Sequence, residues 1–135
     1  MDNDSYSSTV VRLLSNALRF RRARLDTAPL KPEVISLALT IRCNSHCVMC
    51  NMWRQASQTP DIESQELTGD EIVALLSKPL FSDLVELDLT GGEPHLREDL
   101  TDTVLHIAAL RKDYLPRLRS IVITSNGLLP ERIVL

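Results

Sequence analysis

The chain has 135 residues, of which 44% are hydrophobic and 24% charged, with a net charge of -3. This length suits a single domain, and the mixture is globular, which excludes a disordered tail. No apolar run is long enough to span a bilayer, and no secretory signal follows the polar opening Asp2-Asn3-Asp4. Slight acidity and 4% aromatics argue against nucleic acid as a partner, since phosphates select a basic face and bases stack on aromatic rings.

Val10, Val11, Leu14, Ala17 and Leu18 recur at helical spacing over about 8–24, beside Arg12, Arg19, Arg21, Arg22 and Arg24. The expectation is a helix packed on its own domain with a solvated arginine face, in preference to a membrane-surface anchor. A linker over 27–32 carries the breakers Pro29 and Pro32. The expected organisation is therefore residues 1–32, helix and linker, and residues 33–135, a core domain.

Val34–Thr40 alternates Ile35, Leu37 and Leu39 with mostly small or polar residues, which predicts a strand. A long loop is expected over 41–67. Thr68 and Glu71 form a capping box that opens a helix through Ile72, Val73, Leu75 and Leu76, stopped near Lys78-Pro79. Leu84–Thr90 predicts a second strand, leaving through Gly91-Gly92-Glu93-Pro94. Asp99–Lys112 predicts a second helix, with Leu100, Val104, Ile107, Ala108 and Leu110 on one face. Ser120–Thr124 predicts a third strand, leaving through Ser125-Asn126-Gly127, and Pro130 suits the first turn of a further helix.

Strands alternating with helices imply parallel βα units and an α/β fold. Three units do not close an eight-unit barrel of about 250 residues. The expectation is a partial parallel barrel, the N-terminal part of a larger protein or a truncated product. Helices should cover the apolar faces of Val85, Leu87 and Leu89 and of Ile121 and Ile123. That turns Thr40, Glu86, Asp88, Thr90 and Thr124 toward a polar interior, although an open sheet with one solvated face gives the same alternation.

The cysteines are Cys43, Cys47 and Cys50, an odd number packed into eight residues. They cannot all pair within the chain, and their spacing suggests a metal site in a reducing compartment, expected to be the cytoplasm. Spaced C-x3-C-x2-C directly after the first strand, they resemble the cluster motif of the radical S-adenosylmethionine (SAM) superfamily. The resemblance implies a 4Fe-4S cluster. Such a cluster normally takes four thiolates, so three leave one iron open; in the family, SAM chelates that iron. A rival reading is a zinc-stabilised binding module without catalysis, its Cys3His site made of Cys43, His46, Cys47 and Cys50. Adjacent His46 and Cys47 point apart in most loop conformations, which counts against it.

Two further loops strengthen the resemblance. Gly91-Gly92-Glu93-Pro94 lies at the C-terminal end of a strand, where βα proteins place their active sites, and its glycines let a ligand approach the backbone. It resembles the family's loop that binds the methionine amino group of SAM, with Glu93 as an acceptor. Residues 90–100 and Thr124-Ser-Asn-Gly127 look like the branch of molybdenum-cofactor and peptide-modifying, SPASM-type enzymes. There the position of Thr124 contacts the methionine carboxylate or ribose. Met49 stands where the family often has an aromatic residue near adenine, a place a soft apolar side chain can fill.

The likeness covers about residues 34–127. It implies reductive cleavage of SAM to a 5′-deoxyadenosyl radical, which takes hydrogen from a small-molecule or peptide substrate. An electron donor such as flavodoxin or ferredoxin is implied, and no catalytic side chain is singled out. With only three βα units, the chain by itself is expected to cleave SAM inefficiently. Among neighbouring residues, His95 is expected to be a solvated loop histidine and Trp53 a loop-packing residue. Arg97 is expected either to balance Glu93 or another carboxylate or to pair on the surface, and His106 to lie on a helix without a catalytic partner.

Overall fold

In the computed structural model of the protein, residues 3–25 and 30–133 are described, the side chains of 3–6, 8 and 12 excepted. The chain divides into two compact units, Met1–Leu30 and Lys31–Leu135. The first holds helix α1, Asn3–Ala23, longer at its N-terminus than the apolar periodicity suggests. Arg21 and Arg22 occupy its last turn, where positive charge complements the helix dipole. Residues 27–29 of the expected linker lie outside the described residues.

The second unit runs β1 (Val34–Thr40), α2 (Met52–Gln58), α3 (Gly69–Leu76), β2 (Glu86–Gly91), α4 (Leu100–Ala109), β3 (Ser120–Ile123) and α5 (Pro130–Ile133). The strands form one parallel sheet in the order β1-β2-β3. Its register sets Ile35 beside Leu87 and Leu37 beside Leu89, and then Leu87 and Leu89 beside Ile121 and Ile123. These rows make one face apolar. Ile72 and Leu76 of α3 and Leu100 and Ile107 of α4 join Leu39, Leu87 and Leu89 in the core, with Leu84, Leu115 and Leu118. The expected α/β fold is present, as an open sheet.

Local signals set the element ends. At α3, the Thr68 hydroxyl accepts from Glu71 N while the Glu71 carboxylate accepts from Thr68 N, a complete capping box. Two hydrogen bonds to Thr68 hold the Glu71 carboxyl below its ordinary pKa. Helix α4 ends in a tighter turn, Leu110–Lys112. The expected loop over 41–67 instead contains α2 and a single 3-10 turn, Ile62–Gln65. Helix α2 has no side-chain cap and no buried residue, so it lacks the apolar stripe by which a helix is read from sequence.

The opposite face of the sheet is polar and internally bonded. Ser36 Oγ donates to Asp88 Oδ2 (2.9 Å), Thr124 Oγ1 to Asp88 Oδ1 (3.0 Å) and Ser120 Oγ to Glu86 Oε2 (3.3 Å). Thr40 departs from the expected alternation. The register shifts between Ala38 and Thr40, so β1 carries one residue more than β2 there. A one-residue slip exchanges the faces of a strand. Thr40 is consequently turned off the polar face and buried, and its hydroxyl donates to Glu66 Oε1 (2.5 Å). Among the described residues no helix is long and apolar enough to cross a membrane.

Candidate functional site

The root of the cysteine loop, residues 39–42, is gripped from two sides. On one side Gly92 N donates to Thr40 O (2.7 Å) and Glu93 N to Arg42 O (2.8 Å). A Cβ at Gly91 or Gly92 would run into the carbonyl oxygens of Thr40 or Arg42, and Gly91 adopts φ +129. The close approach these glycines permit here is therefore that of the β1 exit itself. On the other side Glu66 accepts from Thr40 Oγ1 and from Ile41 N (3.2 Å), and Arg97 Nη1 donates to Leu39 O (3.0 Å).

Arg97 is buried, and its guanidinium forks onto Asp99 through Nε (2.9 Å) and Nη2 (2.7 Å). Its carboxylate partners are thus Asp99 and, at 3.9 Å, Glu66, not Glu93. Asp99 also accepts from Gly69 N (3.2 Å) at the start of α3. The Arg97 hydrogen bond, helped by its charge, holds the Asp99 carboxyl below the ordinary range against burial, which works to raise it.

Glu93 is 0% exposed. Its carboxylate accepts from His95 N (3.1 Å), His95 Nδ1 (2.8 Å), Ser125 Oγ (3.1 and 3.2 Å) and Asn126 N (2.7 Å). Burial works to raise its pKa. The bonds from Asn126 N, His95 and Ser125 outweigh burial and keep the carboxyl below its ordinary 4.5. Glu93 therefore ties the loop after β2 to the loop after β3. The Glu93 carboxylate oxygens expected to meet a SAM ammonium are thus engaged within the chain. His95 is buried, not a solvated loop histidine, because its ring closes over this carboxylate.

The three thiols are free; Cys43 is half-buried and Cys47 and Cys50 are exposed. Ser45 stands between the first two: its N donates to Cys43 Sγ (3.4 Å) and its Oγ lies 3.2 Å from Cys47 Sγ. Cys50 N donates to Cys47 O (3.1 Å), closing the turn that carries Met49, which is 94% exposed. From the loop after β3, Asn126 Nδ2 donates to Asn44 Oδ1 (2.8 Å) and to Cys43 Sγ (3.7 Å). Three loops thus meet at one end of the sheet.

His46 packs its ring on Trp53 (centroids 4.5 Å apart), and Trp53 Nε1 donates to Cys47 O (3.3 Å). Among the described residues no three His, Cys, Asp or Glu side chains converge to hold a metal ion. That applies to the Cys3His set and equally to the three thiols as they stand. The chemistry of the donors nevertheless fits an iron–sulfur cluster: three free thiols on one loop, with N–H groups already donating to the first sulfur and a hydroxyl beside the second. Pro94 is buried at the head of a 3-10 turn, Thr124 is exposed with its hydroxyl on Asp88, and His106 is exposed on α4. Ser45, Glu66, Ser125 and Asn126 escape a reading by motif; only the run Thr124-Ser-Asn-Gly127 pointed toward two of them.

A parallel βα sheet with a cysteine loop, a Gly-Gly loop and a Ser-Asn-Gly loop after its three strands is an α/β scaffold with its site at the strands' C-terminal ends. A family profile described as "Radical SAM superfamily" matches residues 37–135, and the chain belongs to that superfamily. Relatives include molybdenum cofactor biosynthesis protein 1 of Drosophila melanogaster, 29% identical over 150 residues (97% of this chain, 25% of the relative). GTP 3',8-cyclase of Stenotrophomonas maltophilia is 35% identical over 100 residues (73% and 28%). The mitochondrial GTP 3',8-cyclase of Arabidopsis thaliana is 32% identical over 94 residues (70% and 22%). The chain thus spans about a quarter of the length of these relatives. No solved structure matches it.

Proposed function

We propose that this chain supplies the cluster loop and the SAM-binding loops of a radical SAM enzyme in a reducing, cytoplasmic setting. Cys43, Cys47 and Cys50 would hold a 4Fe-4S cluster through three thiolates. The chemistry such a group supplies when bound is one-electron reduction of the SAM sulfonium, giving methionine and a 5′-deoxyadenosyl radical that takes hydrogen from a substrate. The protein's part is to place these groups and exclude solvent. The backbone of Gly91 to Pro94 would receive the methionine end of SAM, and Thr124 its carboxylate or ribose. Met49 would pack on the adenine. Glu93 enters this reading through its backbone and through its hold on Ser125 and Asn126.

The observation that carries the reading is the meeting of three loops: Glu93 N on Arg42 O, Asn126 N on Glu93, and the Asn126 amide on Cys43. The relatives named GTP 3',8-cyclase support a nucleotide substrate, with peptides and other small molecules as the alternatives. A flavodoxin or ferredoxin would deliver the electron.

Anaerobic reconstitution with iron and sulfide tests the proposal. A brown protein with equal iron and sulfide is expected, its electron paramagnetic resonance (EPR) signal altered by SAM. Cys43→Ala, Cys47→Ala and Cys50→Ala should each lose the stable cluster, since no neighbouring thiolate can replace the one removed. A colourless wild-type protein holding zinc instead would overturn the reading.

A further inference from the structure

Asn126 has more hydrogen-bonding work than a turn residue needs. Its Oδ1 accepts from Leu128 N (2.9 Å), which closes its own turn. Its backbone N is fixed on the buried Glu93 carboxylate (2.7 Å). Its Nδ2 then reaches the cysteine loop, donating to Asn44 Oδ1 (2.8 Å) and Cys43 Sγ (3.7 Å). Glu93 is itself held by His95 of its own loop and by Ser125, the neighbour of Asn126, so the loop after β2 sets Asn126 while its amide reaches the cysteine loop.

We propose that Asn126 is a positioning residue for Cys43 and that its N–H···S bond helps set the reduction potential of the cluster. The inference rests on the proposed cluster function. A reduced cluster carries more negative charge on its sulfurs, so an N–H donor at a ligating sulfur stabilises the reduced form more than the oxidised one. Hydrogen bonds to the sulfurs are one of the means by which a protein tunes such a potential. Ser45 N is a second donor to the same sulfur and stays in place when Asn126 is changed. Loss of the Asn126 donor should therefore lower the potential without abolishing ligation.

The experiment is an EPR-monitored redox titration of the reconstituted full chain, with iron and sulfide measured on each sample. Asn126→Ala removes the donor without adding charge. Asn126→Asp keeps the oxygen that closes the turn, replaces the amide N–H groups by an acceptor and adds a negative charge, so its potential should fall at least as far as that of Asn126→Ala. Asn44→Ala removes the other partner of the amide and leaves the bond to Cys43. Both Asn126 variants should retain the cluster, with the reduced-to-oxidised ratio at a fixed potential lower by roughly threefold or more, the scale of one modest hydrogen bond. Asn44→Ala should titrate close to wild type.

Loaded Asn126 variants with the wild-type potential would overturn the inference. So would failure of both to load, because Asn126 would then anchor the loop and tune nothing. Failure of the wild-type chain to take up iron and sulfide would instead count against the proposed function, which keeps the two failures distinguishable.

Discussion

Among the glycines, Gly92 leaves the least room for a Cβ. Its backbone lies against the Arg42 carbonyl, and any Cβ would enter that oxygen. The neighbour is main chain and cannot swing aside as a flexible side chain would, so Gly92→Ala should cost about 1–3 kcal/mol. Urea unfolding measures it, and a change below about 0.5 kcal/mol, the range of ordinary surface substitutions, would show that the loop gives way freely. The glycine pair is legible in the sequence, but what it makes room for is not. The same holds for Glu93, whose partners Ser125 and Asn126 lie 32 and 33 residues downstream. Sequence marks such a carboxylate as exposed and available, and only the fold brings the donors that occupy it.

At the scale of elements, Arg97 joins four pieces. Its guanidinium bonds the carbonyl of Leu39 in β1 and the carboxylate of Asp99 at the head of α4, beside Glu66, and Asp99 in turn takes Gly69 N of α3. A fork with fixed geometry is needed, and a lysine ammonium cannot reproduce it. Arg97→Lys should cost about 1–3 kcal/mol, the scale of lost hydrogen bonds to a charged group. It should also raise amide hydrogen exchange at Ile41 and Glu93, which flank the grip. Exchange confined to α4 would show that Arg97 serves only that helix. Arg97 could be read from sequence only as a charge without an address, since nothing local links it to Leu39.

For the whole molecule, acid stability follows from the carboxylates. Glu93 and Asp99 both have folded-state pKa values lowered from 4.5 and 3.8, by hydrogen bonds that outweigh burial. A lowered carboxylate pKa contributes stability that is complete above the unfolded-state value and is lost as pH falls through the folded-state value. Unfolding midpoints should therefore hold steady near neutrality and drop as the pH falls below 4.5 and then 3.8. Glu93→Gln should be less stable at neutral pH and lose less on acidification. A wild-type slope retained in that variant would assign the acid sensitivity elsewhere. The sheet is open, with Glu86, Ser36 and Thr124 of its polar face exposed. On the proposed function, a radical formed beside such a face would meet water, which an active site of that chemistry must exclude. The 135-residue chain alone should therefore release little 5′-deoxyadenosine from SAM under reducing conditions. Repeated turnovers of SAM per cluster by this chain would overturn this expectation.

The sequence alone determined the parallel βα order, the apolar face of the sheet, the α3 capping box and the three loops of the candidate site. Each of these is written in neighbouring residues: period-two alternation, a Thr and a Glu three apart, thiols within one turn or two of each other. It missed α2, which buries no residue and so leaves no stripe to read. Tertiary structure decided the rest. A one-residue bulge turned Thr40 to the other face, burial closed His95 over Glu93, and Arg97 found Asp99 and the Leu39 carbonyl. It also set Trp53 against His46, and Asn126 against the first cysteine. The Thr40, Arg97–Leu39 and Asn126 outcomes depend on segments distant in the chain meeting at one end of the sheet. The local pairs depend on how much room that packing leaves, which a linear pattern does not record.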